Sequence, residues 1–383
     1  MDFALTDDQK LVRDSARRFV DNEIAPHVKD WDRHESMDRA VVGELARVGF
    51  LGAVIPEEYG GMALDNVSYC CIIEEVGRVD SSVRGIVSVN VGLVGKTILK
   101  WGTEEQKKEW LPQLSSGEAV GCYGLTEPGS GSDAAALKTK ATRDGDDWII
   151  NGSKQFITNG SWAGLALIFA RTGEEGPKGI TCFLVPTNSE GFSSNPITGK
   201  LGLRAQDTAE LHLQDVRVPD DNRLGELGEG FKVAMSALDN GRMSLAAGCV
   251  GIAQGSLEAS IAYSTERTQF DRPIATFQLI QELIADIAVE TEAARLMTWR
   301  VATLADEGRP HTLESSMAKY FASEVAVRAA NSAVQVHGGY GYVDEYSVGK
   351  YLRDARVTTL YEGTSQIQKL IIGRALTGES AFF

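Results

Sequence analysis

The sequence predicts an α+β protein: an N-terminal helical domain, a central β domain that is a sandwich or a barrel, and a C-terminal four-helix bundle. Apolar residues recur at helical spacing up to about residue 118 and again from residue 231, whereas between them they alternate with a period of two. A chain of 383 residues also buries enough surface for two or three domains. We therefore predict domains at residues 1–118, 119–230 and 231–383.

The N-terminal region carries several amphipathic stripes. Val12, Ala16, Phe19 and Val20 lie on one face of a first predicted helix. Further apolar segments are predicted to be helical at residues 41–51, 67–79 and 85–100. Pro and Gly residues mark a turn between the first two of these segments.

The spacing of apolar residues changes near residue 119, from a helical period to alternation. A short apolar run at 119–125 ends in the Gly-rich and Ser-rich stretch 128–132. Five segments then read as strands, because their apolar residues alternate and Gly, Asn or Asp separate them. These segments are residues 138–142, 148–150, 165–170, 180–185 and 210–213.

The last region returns to helical spacing. Long amphipathic patterns cover residues 231–265, 275–305 and 312–337, and a shorter one covers residues 364–377. Three long helices and a shorter fourth one with brief connections predict an antiparallel four-helix bundle.

Composition limits the possible partners. The net charge of −15 disfavours binding to nucleic acid or to anionic membranes, although a local basic site for a phosphorylated ligand stays compatible with it. The amphipathic N-terminus of mixed charge is not typical of a signal peptide, and we find no apolar run long enough to span a bilayer. We therefore predict no membrane insertion and a cytoplasmic location. The five cysteines form no C-x-x-C pair, which predicts neither a metal site nor a disulfide framework.

The octet Tyr-Glu-Gly-Thr-Ser-Gln-Ile-Gln at residues 361–368 precedes the last predicted helix. Thr364 or Ser365 can cap that helix. A carboxylate such as Glu362, placed at a helix N-terminus among apolar groups, can be tuned as a proton acceptor. The alternative is a surface glutamate in a turn that Gly363 marks.

A glycine-rich stretch at residues 129–134, Gly-Ser-Gly-Ser-Asp-Ala, formally matches the dinucleotide fingerprint G-x-G-x-x-G/A. That fingerprint requires a helix after it, and the sequence that follows has the period of strands. We therefore reject a Rossmann fold. The stretch either offers backbone N–H groups to a phosphate or a flavin, or it is a tight turn between strands.

Five segments together resemble the acyl-CoA dehydrogenase family, and the resemblance extends over essentially the whole chain. The segments are residues 122–133, 154–160, 267–270, 335–342 and 361–368. The nearest branches are the short-chain, medium-chain and glutaryl-CoA dehydrogenases. The resemblance implies the same α–β–α fold that the periodicities predict, with a C-terminal four-helix bundle and non-covalent FAD as the cofactor.

The resemblance also implies which residues bind the cofactor. Residues that line the flavin and the acyl thioester are Tyr123, Leu125, Thr126, Gly131 and Ser132. Phe156 and Thr158 are expected to contact the isoalloxazine ring, and Phe156 departs from the tryptophan that many relatives carry there. Residues that reach the FAD of a neighbouring subunit are Arg267, Phe270, Gln278, Gln335 and Gly339. Thr364 and Gln366 are expected to hold the nucleotide half of FAD. The implied assembly is a homotetramer, a dimer of dimers.

The implied reaction is the α,β-dehydrogenation of an acyl-CoA to a trans-2-enoyl-CoA. Glu362 removes the α proton, flavin N5 accepts the β hydride, and the electrons pass to electron-transferring flavoprotein. Tyr361, Gly363 and Ser132 are expected on the substrate side. Asp239 and Arg242 share a helix face, so their spacing alone predicts an ion pair, whereas the resemblance implies contacts to CoA. Some branches carry the base at the position of Gly241, which cannot serve here.

The substrate class stays open between two alternatives. Arg84 and Ser88, at positions i and i+4, resemble the pair that holds the distal carboxylate in glutaryl-CoA dehydrogenases, and the C-terminal residues 377–382 are similar to that branch too. That branch carries a glutamate in place of Gly77. The first alternative is a short- or medium-chain acyl-CoA, straight or branched, with Arg84 paired to Asp80 or to another acid at the helix edge. The second is dehydrogenation, with or without decarboxylation, of a dicarboxylyl-CoA such as glutaryl-CoA. An oxidase that uses oxygen and a binding protein without turnover are further hypotheses.

Overall fold

The computed structural model describes residues 3–381, so Phe382 and the end of the third predicted domain lie outside the described part. Helices come first, strands follow, and helices return at Gly230. The predicted order of helical, β and helical regions is therefore confirmed. The domain boundaries at residues 118 and 230 stay predictions.

The N-terminal region consists of helices that begin with side-chain caps where the sequence offers them. Thr6 closes a capping box with Gln9 at the start of the first helix. Asp80 accepts a hydrogen bond from Val83 N and so caps a helix that contains Arg84. The helices are α1 (Asp7–Phe19), α2 (Val28–His34), α3 (Ala40–Arg47), α4 (Asn66–Val79), α5 (Ser81–Val87), α6 (Lys96–Trp101) and α7 (Glu104–Ser116), with a π-helical segment, Ser88–Gly95, between α5 and α6.

One sheet of eight strands forms the central region, in the order β6-β7-β3-β2-β4-β5-β8 with β1 on β4. The strands are β1 (Gly121–Gly124), β2 (Lys140–Asp144), β3 (Asp147–Thr158), β4 (Leu165–Arg171), β5 (Ile180–Pro186), β6 (Phe192–Pro196), β7 (Thr208–Pro219) and β8 (Arg223–Leu224). β1 and β2 run parallel to β4, and the other pairs are antiparallel. Five of these strands were predicted from the sequence. Strand β1 lies within the short apolar run at 119–125, which was not among the five predicted strands, and β6 and β8, which are short and mostly polar, were not predicted.

Strand β4 is buried on both of its faces. Leu165, Leu167 and Phe169 pack with residues of the helices, whereas Ala166 and Ile168 pack in a second core made of residues from the sheet region alone. A strand covered on both sides needs no polar alternation. This burial explains why β4 reads as a continuous apolar run.

The C-terminal region is helical, with a small hairpin after its first helix. Its elements are α8 (Gly230–Glu266), β9 (Thr268–Gln269), β10 (Arg272–Pro273), α9 (Gln278–Asp306), α10 (Thr312–His337), α11 (Val348–Thr358) and α12 (Ser365–Thr377). Helix α10 packs against α8, α9, α11 and α12. The four predicted helices are confirmed, and α11 is an additional helix that the sequence did not predict.

Helix α11 is held by buried charges. The Nζ atom of Lys350 lies 2.7 Å from Asp80 Oδ2 and also bonds Asp354. Asp354 in turn accepts a hydrogen bond from Leu203 N at 2.7 Å. The helix also has an apolar stripe at helical spacing, formed by Val348, Tyr351, Leu352 and Ala355. This short periodic pattern was overlooked in the sequence.

Two helical segments, Ser81–Trp101 and Gly230–Glu266, are long and apolar enough to cross a membrane by length and composition. This differs from the expectation that no apolar run reaches that length. Within the fold, 83% and 67% of their most apolar windows are buried. A buried core helix passes the same test of length and composition.

Candidate active site

A cavity of about 1020 Å³ brings together most of the residues predicted to bind flavin and substrate. It lies among the β1 and β3 strands, the π-helical segment, α8, and the turn that joins α11 to α12. The predicted site residues that line it are Arg84, Tyr123, Leu125, Thr126, Gly131, Ser132, Phe156, Thr158, Arg242, Tyr361, Glu362 and Gly363.

Glu362 faces this cavity from the turn between α11 and α12. Its backbone is left-handed, with φ of 54°, a conformation that is uncommon for a residue with a side chain. Its Oε2 atom is buried without a hydrogen-bond partner. Burial raises the pKa of Glu362, while Arg84, Lys319 and Arg242 act in the opposite direction. A partnerless carboxylate oxygen with a raised pKa has the properties of a proton acceptor.

Four side chains hold the backbone and the neighbours of Glu362. Arg242 Nε donates to Glu362 O at 3.4 Å. Arg84 Nη2 donates to the Tyr361 hydroxyl at 2.7 Å. Gln368 Nε2 donates to Glu362 O at 3.0 Å, and Lys319 Nζ donates to Gly363 O at 2.7 Å. A left-handed residue persists where its surroundings determine its conformation in this way. The predicted cap is also present, since Thr364 Oγ1 accepts from Ile367 N.

Gly241 leaves the space that the Glu362 carboxylate occupies. A Cβ atom at this position would lie 2.5 Å from Glu362 Oε2 and 2.6 Å from Leu93 Cδ2. The expectation that residue 241 cannot supply the base is consistent with this geometry. The two positions share one space.

Gly241→Ala is therefore expected to displace the Glu362 carboxylate and to slow flavin reduction by substrate about 100-fold, because an error of about 1 Å in a reacting group has effects of that size. The rate is measured by anaerobic stopped-flow absorbance. Gly373→Ala on α12 is the matched control, since a Cβ there meets nothing within 4 Å. Equal rates in wild-type protein and Gly241→Ala would contradict the expectation.

Phe156 presents an aromatic face to the cavity. The pairing of β3 with β7 shifts register between Lys154 and Ile157, and Phe156 has a left-handed φ of 60° at this irregularity. A bulge of this kind redirects a side chain, and the Phe156 ring is 66% exposed. Nearby, Thr158 Oγ1 accepts a hydrogen bond from Gln206 Nε2 at 3.2 Å. An open ring beside a hydroxyl suits the plane and edge of a flavin.

A buried ion pair anchors the loop that follows β1. The Lys154 ammonium is fully buried and lies 2.8 Å from Glu127 Oε1. It also donates to Phe169 O, while Glu127 accepts hydrogen bonds from Lys138 N and Thr139 N. The pair thus joins the loop that carries Gly131 and Ser132 to the strand that carries Phe156.

Lys154→Met is expected to lower the free energy of unfolding by about 3–5 kcal/mol, because it leaves Glu127 buried without its cation. FAD affinity falls with it, since both walls of the cavity lose their connection. Chemical denaturation and FAD titration of apoprotein measure the two effects. Lys140→Met, at an exposed position of β2, is the control. The double variant Lys154→Met with Glu127→Gln should recover part of the stability, and no recovery would contradict this explanation.

Arg242 lines the cavity, whereas Asp239 lies behind it. Arg242 Nη1 donates to Asp239 Oδ1 at 2.8 Å, the ion pair that the spacing predicted. Asp239 Oδ2 also accepts from the Thr312 hydroxyl at 2.6 Å. The carboxylate of Asp239 is therefore engaged within the fold, and Arg242 is the member of the pair that faces a ligand.

Arg84 does not pair with Asp80, so the expected ion pair between these two residues is wrong. Asp80 bonds Lys350 instead, because α11 approaches from a distant part of the chain. Arg84 is only 2% exposed, its Nε atom has no hydrogen-bond partner, and no carboxylate oxygen of the described residues lies within 4.0 Å of it. Ser88 Oγ lies 3.5 Å from Arg84 Nη1 and bonds Ser244 Oγ, which places Ser88 behind the arginine.

Gly77 has no room for the glutamate that glutaryl-CoA dehydrogenases carry. A Cβ there would lie 2.9 Å from Gly248 O, because α4 and α8 approach closely. At Gly248, in turn, a Cβ would lie 2.8 Å from Arg84 Cδ. The arginine therefore lies against Gly248, and no carboxylate oxygen of the described residues lies within 4.0 Å of it.

The residues predicted to reach a neighbouring subunit lie in a second, separate region. Arg267, Gln335 and Gly339 line a surface cavity of about 550 Å³, where the Arg267 guanidinium lies 5.4 Å from the centre of the Tyr340 ring. Phe270 is 87% exposed in the turn of the β9–β10 hairpin. The remaining predicted residues are also on the surface of the single chain, Gln278 at the start of α9 and Gln366 in the first turn of α12.

Sequence reasoning missed three residues with clear structural roles at the site. Gln206 joins Thr158 to the cavity wall, Lys154 anchors the loop after β1, and Lys319 contacts the turn of Glu362. Lys154 lies in a segment that carries the family resemblance, which was the one available signal for it. A lysine within a small-residue helix such as α10 gives no such signal.

In residues 3–381, no group of three or more His, Cys, Asp or Glu side chains is arranged to hold a metal ion. The five cysteines are free and buried. Burial raises the pKa of Cys71 to about 12 and that of Cys249 to about 11, so these thiols are protonated at neutral pH.

Family models match nearly the whole chain in three consecutive parts. The acyl-CoA dehydrogenase N-terminal domain matches residues 6–118, the middle domain residues 122–216, and the C-terminal domain residues 228–377. A probable acyl-CoA dehydrogenase, YngJ of Bacillus subtilis, is 45% identical over 98% of this chain and 100% of its own length. The mitochondrial short-chain specific acyl-CoA dehydrogenase of Mus musculus is 42% identical over 96% of this chain and 90% of its own.

Solved structures agree with these relatives. Butyryl-CoA dehydrogenase from Megasphaera elsdenii superimposes with a TM-score of 0.96 at 41% identity, covering 98% of this chain and 100% of that one. A glutaryl-CoA dehydrogenase from Mycobacterium smegmatis in complex with FADH2 gives 0.94 at 38% identity, with 99% and 97% coverage. A chain from a study of the electron transferring flavoprotein of Acidaminococcus fermentans gives 0.97 at 44% identity, with 99% and 100% coverage.

Proposed function

Because the chain belongs to the acyl-CoA dehydrogenase family and is an FAD-dependent oxidoreductase, we propose that Glu362 is the base that removes the α proton of a short- or medium-chain acyl-CoA. The product is a trans-2-enoyl-CoA, and the electrons pass to electron-transferring flavoprotein. One observation carries the assignment of the base: Glu362 lines the cavity, and its Oε2 atom is buried without a hydrogen-bond partner.

The lining of the cavity fits FAD. Phe156 offers an open aromatic face, Thr158 offers a hydroxyl that is free to donate, and Gly131 and Ser132 bring backbone N–H groups close to the cavity. Bound FAD supplies the acceptor for the β hydride. Tyr123 donates its hydroxyl hydrogen bond to Ala234 O, so its ring forms part of an apolar wall that excludes water.

The chain's own groups must make the α proton more acidic, since a thioester α proton is a very weak acid. We assign the backbone N–H of Glu362 as a donor to the thioester oxygen, where negative charge develops in the transition state. The raised pKa of Glu362 also reduces the difference between the pKa of the base and the pKa of the substrate α proton. Arg242 is assigned to the CoA side, with Asp239 holding its guanidinium.

Anaerobic titration with a series of acyl-CoAs tests the substrate class. Butyryl-CoA and its neighbours in chain length are expected to bleach the flavin absorbance, and a series in which none bleaches it would overturn the proposal. Reoxidation distinguishes the acceptor: reduced enzyme should pass electrons to electron-transferring flavoprotein, whereas rapid formation of hydrogen peroxide would identify an oxidase.

Arg84 favours a second candidate, a dicarboxylyl-CoA such as glutaryl-CoA. It is a buried cation at the cavity without an acidic partner among the described residues, and the distal carboxylate of such a substrate would supply one. Ser88 supports the guanidinium from behind. Release of carbon dioxide from glutaryl-CoA would identify dehydrogenation with decarboxylation. An enoyl product formed without release of carbon dioxide would identify dehydrogenation alone.

We further propose a homotetramer built as a dimer of dimers. The exposed set of Arg267, Phe270 and Gln278 lies apart from the cavity of Glu362 and is available to a second subunit. Sedimentation velocity measures the assembly. A monomer that reduces its flavin with full activity would contradict a site shared between subunits.

A further inference from the structure

Lys319 is a fully buried lysine on α10 that the proposed reaction leaves without a role. None of its side chain is exposed. Its Nζ atom donates to Gly363 O at 2.7 Å, and no carboxylate oxygen of the described residues lies within 4.0 Å of it. Removing an ammonium from water without an ionic partner costs several kcal/mol. Its burial therefore needs an explanation other than packing.

The hydrogen bond to Gly363 is not a sufficient explanation. Gln368 Nε2 also donates to Gly363 O, at 3.1 Å, and to Glu362 O. A neutral side chain already satisfies this turn. Lys319 therefore adds a positive charge to this turn. The charge lies at the carbonyl of Gly363, the residue that follows Glu362.

The titratable groups around Lys319 come from three elements. Cys249 and Arg242 lie on α8, Glu324 lies on α10, and Glu362 lies in the turn before α12. Burial lowers the pKa of Lys319 to about 8; the charge of Arg242 also lowers it, whereas the carboxylates of Glu362 and Glu324 raise it. The ammonium form therefore predominates at neutral pH.

We propose that Lys319 is a positioning residue whose buried charge keeps Glu362 ionised and whose hydrogen bond fixes the turn that carries it. The inference rests on the proposed role of Glu362 as the base. Arg242 also faces Glu362, but its charge is offset by the bound carboxylate of Asp239. Arg84 also acts on Glu362, but its guanidinium donates to the Tyr361 hydroxyl. Lys319 instead bonds the carbonyl of the residue directly after Glu362, and no carboxylate oxygen of the described residues lies within 4.0 Å of its Nζ atom.

The test replaces Lys319 by methionine, which keeps the length of the side chain and removes the charge. Loss of a nearby cation raises the pKa of a carboxylate, so the acid limb of the rate of flavin reduction should move upward by about one pH unit. Lys319→Arg should restore the wild-type profile. Lys369→Met is the matched control, because Lys369 stacks on Tyr320 of the same helix but is exposed.

A second readout does not depend on turnover. Infrared spectroscopy follows the protonated carboxyl band that Glu362→Gln removes, and this band should titrate about one pH unit higher in Lys319→Met. If the carboxyl band and the acid limb of the rate titrate at the same pH in Lys319→Met as in wild-type protein, the inference is overturned and Lys319 has only a packing role. If Lys319→Met does not fold, Lys319→Gln replaces it, since glutamine keeps an N–H donor without charge.

The two proposals fail in different ways. Flavin reduction at a normal rate in Glu362→Gln would remove Glu362 as the base whatever Lys319 does. An inactive Glu362→Gln together with an unshifted titration in Lys319→Met would keep the base and remove Lys319 as its positioning residue.

Discussion

Glu362→Gln is expected to give a yellow, FAD-bound protein whose flavin is no longer bleached by acyl-CoA. Glutamine fills the same space but cannot accept a proton, and general-base catalysis alone contributes about 10²- to 10⁴-fold in rate. The turn itself should persist, because its hydrogen bonds with Lys319 and Gln368 involve backbone oxygens. Stopped-flow reduction under anaerobic conditions measures the loss.

The control for this variant is Glu324→Gln. Glu324 accepts a hydrogen bond from Ser365 in the same neighbourhood but does not line the cavity. Glu324→Gln should therefore retain most of the wild-type rate of flavin reduction. Bleaching of Glu362→Gln as fast as wild-type protein would exclude Glu362 as the base.

The pH dependence of the wild-type rate follows from the direction of the pKa shift. Burial raises the pKa of Glu362 above that of a free glutamate. Only the ionised form accepts a proton, so the rate should increase as pH rises through this raised value. In Glu362→Asp the acid limb should survive with a lower plateau, because the shorter side chain keeps the carboxylate and misplaces it.

Arg84→Met is expected to change the preference between glutaryl-CoA and butyryl-CoA by about 30- to 5000-fold in favour of butyryl-CoA. Truncating one partner of a buried, hydrogen-bonded charge pair costs about 2–5 kcal/mol, and only the dicarboxylic substrate forms such a pair. In the variant, the apolar acyl end of butyryl-CoA contacts a methionine side chain, whereas in the wild-type protein it faces an unpaired cation. The ratio of kcat/KM for the two substrates is the measurement.

Arg242→Met is the matched control for this ratio. It removes a second buried guanidinium from the same cavity, on the side assigned to CoA, which both substrates share. Both substrates should lose activity alike. A ratio unchanged by Arg84→Met would show that Arg84 serves only to hold the Tyr361 hydroxyl.

Local patterns predicted those parts of the site that depend on local geometry. The cap at Thr364 and the pair of Asp239 with Arg242 involve residues three apart, so their spacing sufficed. The partner of Asp80 was mispredicted for the opposite reason. Positions i and i+4 share a helix face, but that fact does not say which distant element covers the face, and here Lys350 of α11 does.

The burial of Lys319 marks the limit of such reasoning. The pattern of α10 predicts a helix, and the bundle predicts that one face is covered. Neither predicts that a lysine on that face meets a backbone oxygen of a turn more than forty residues later. Contacts of this kind depend on how helices cross, which a single sequence does not encode in any local spacing.

The buried triad of Lys350, Asp80 and Asp354 has a consequence for how the molecule melts. Its members cap α5, belong to α11 and, through Leu203, bind the sheet region. If any one region separated from the others, a buried charged group would lose its ionic partner. Heating should therefore produce one calorimetric transition for all three regions, and limited proteolysis should not release a fragment that survives alone.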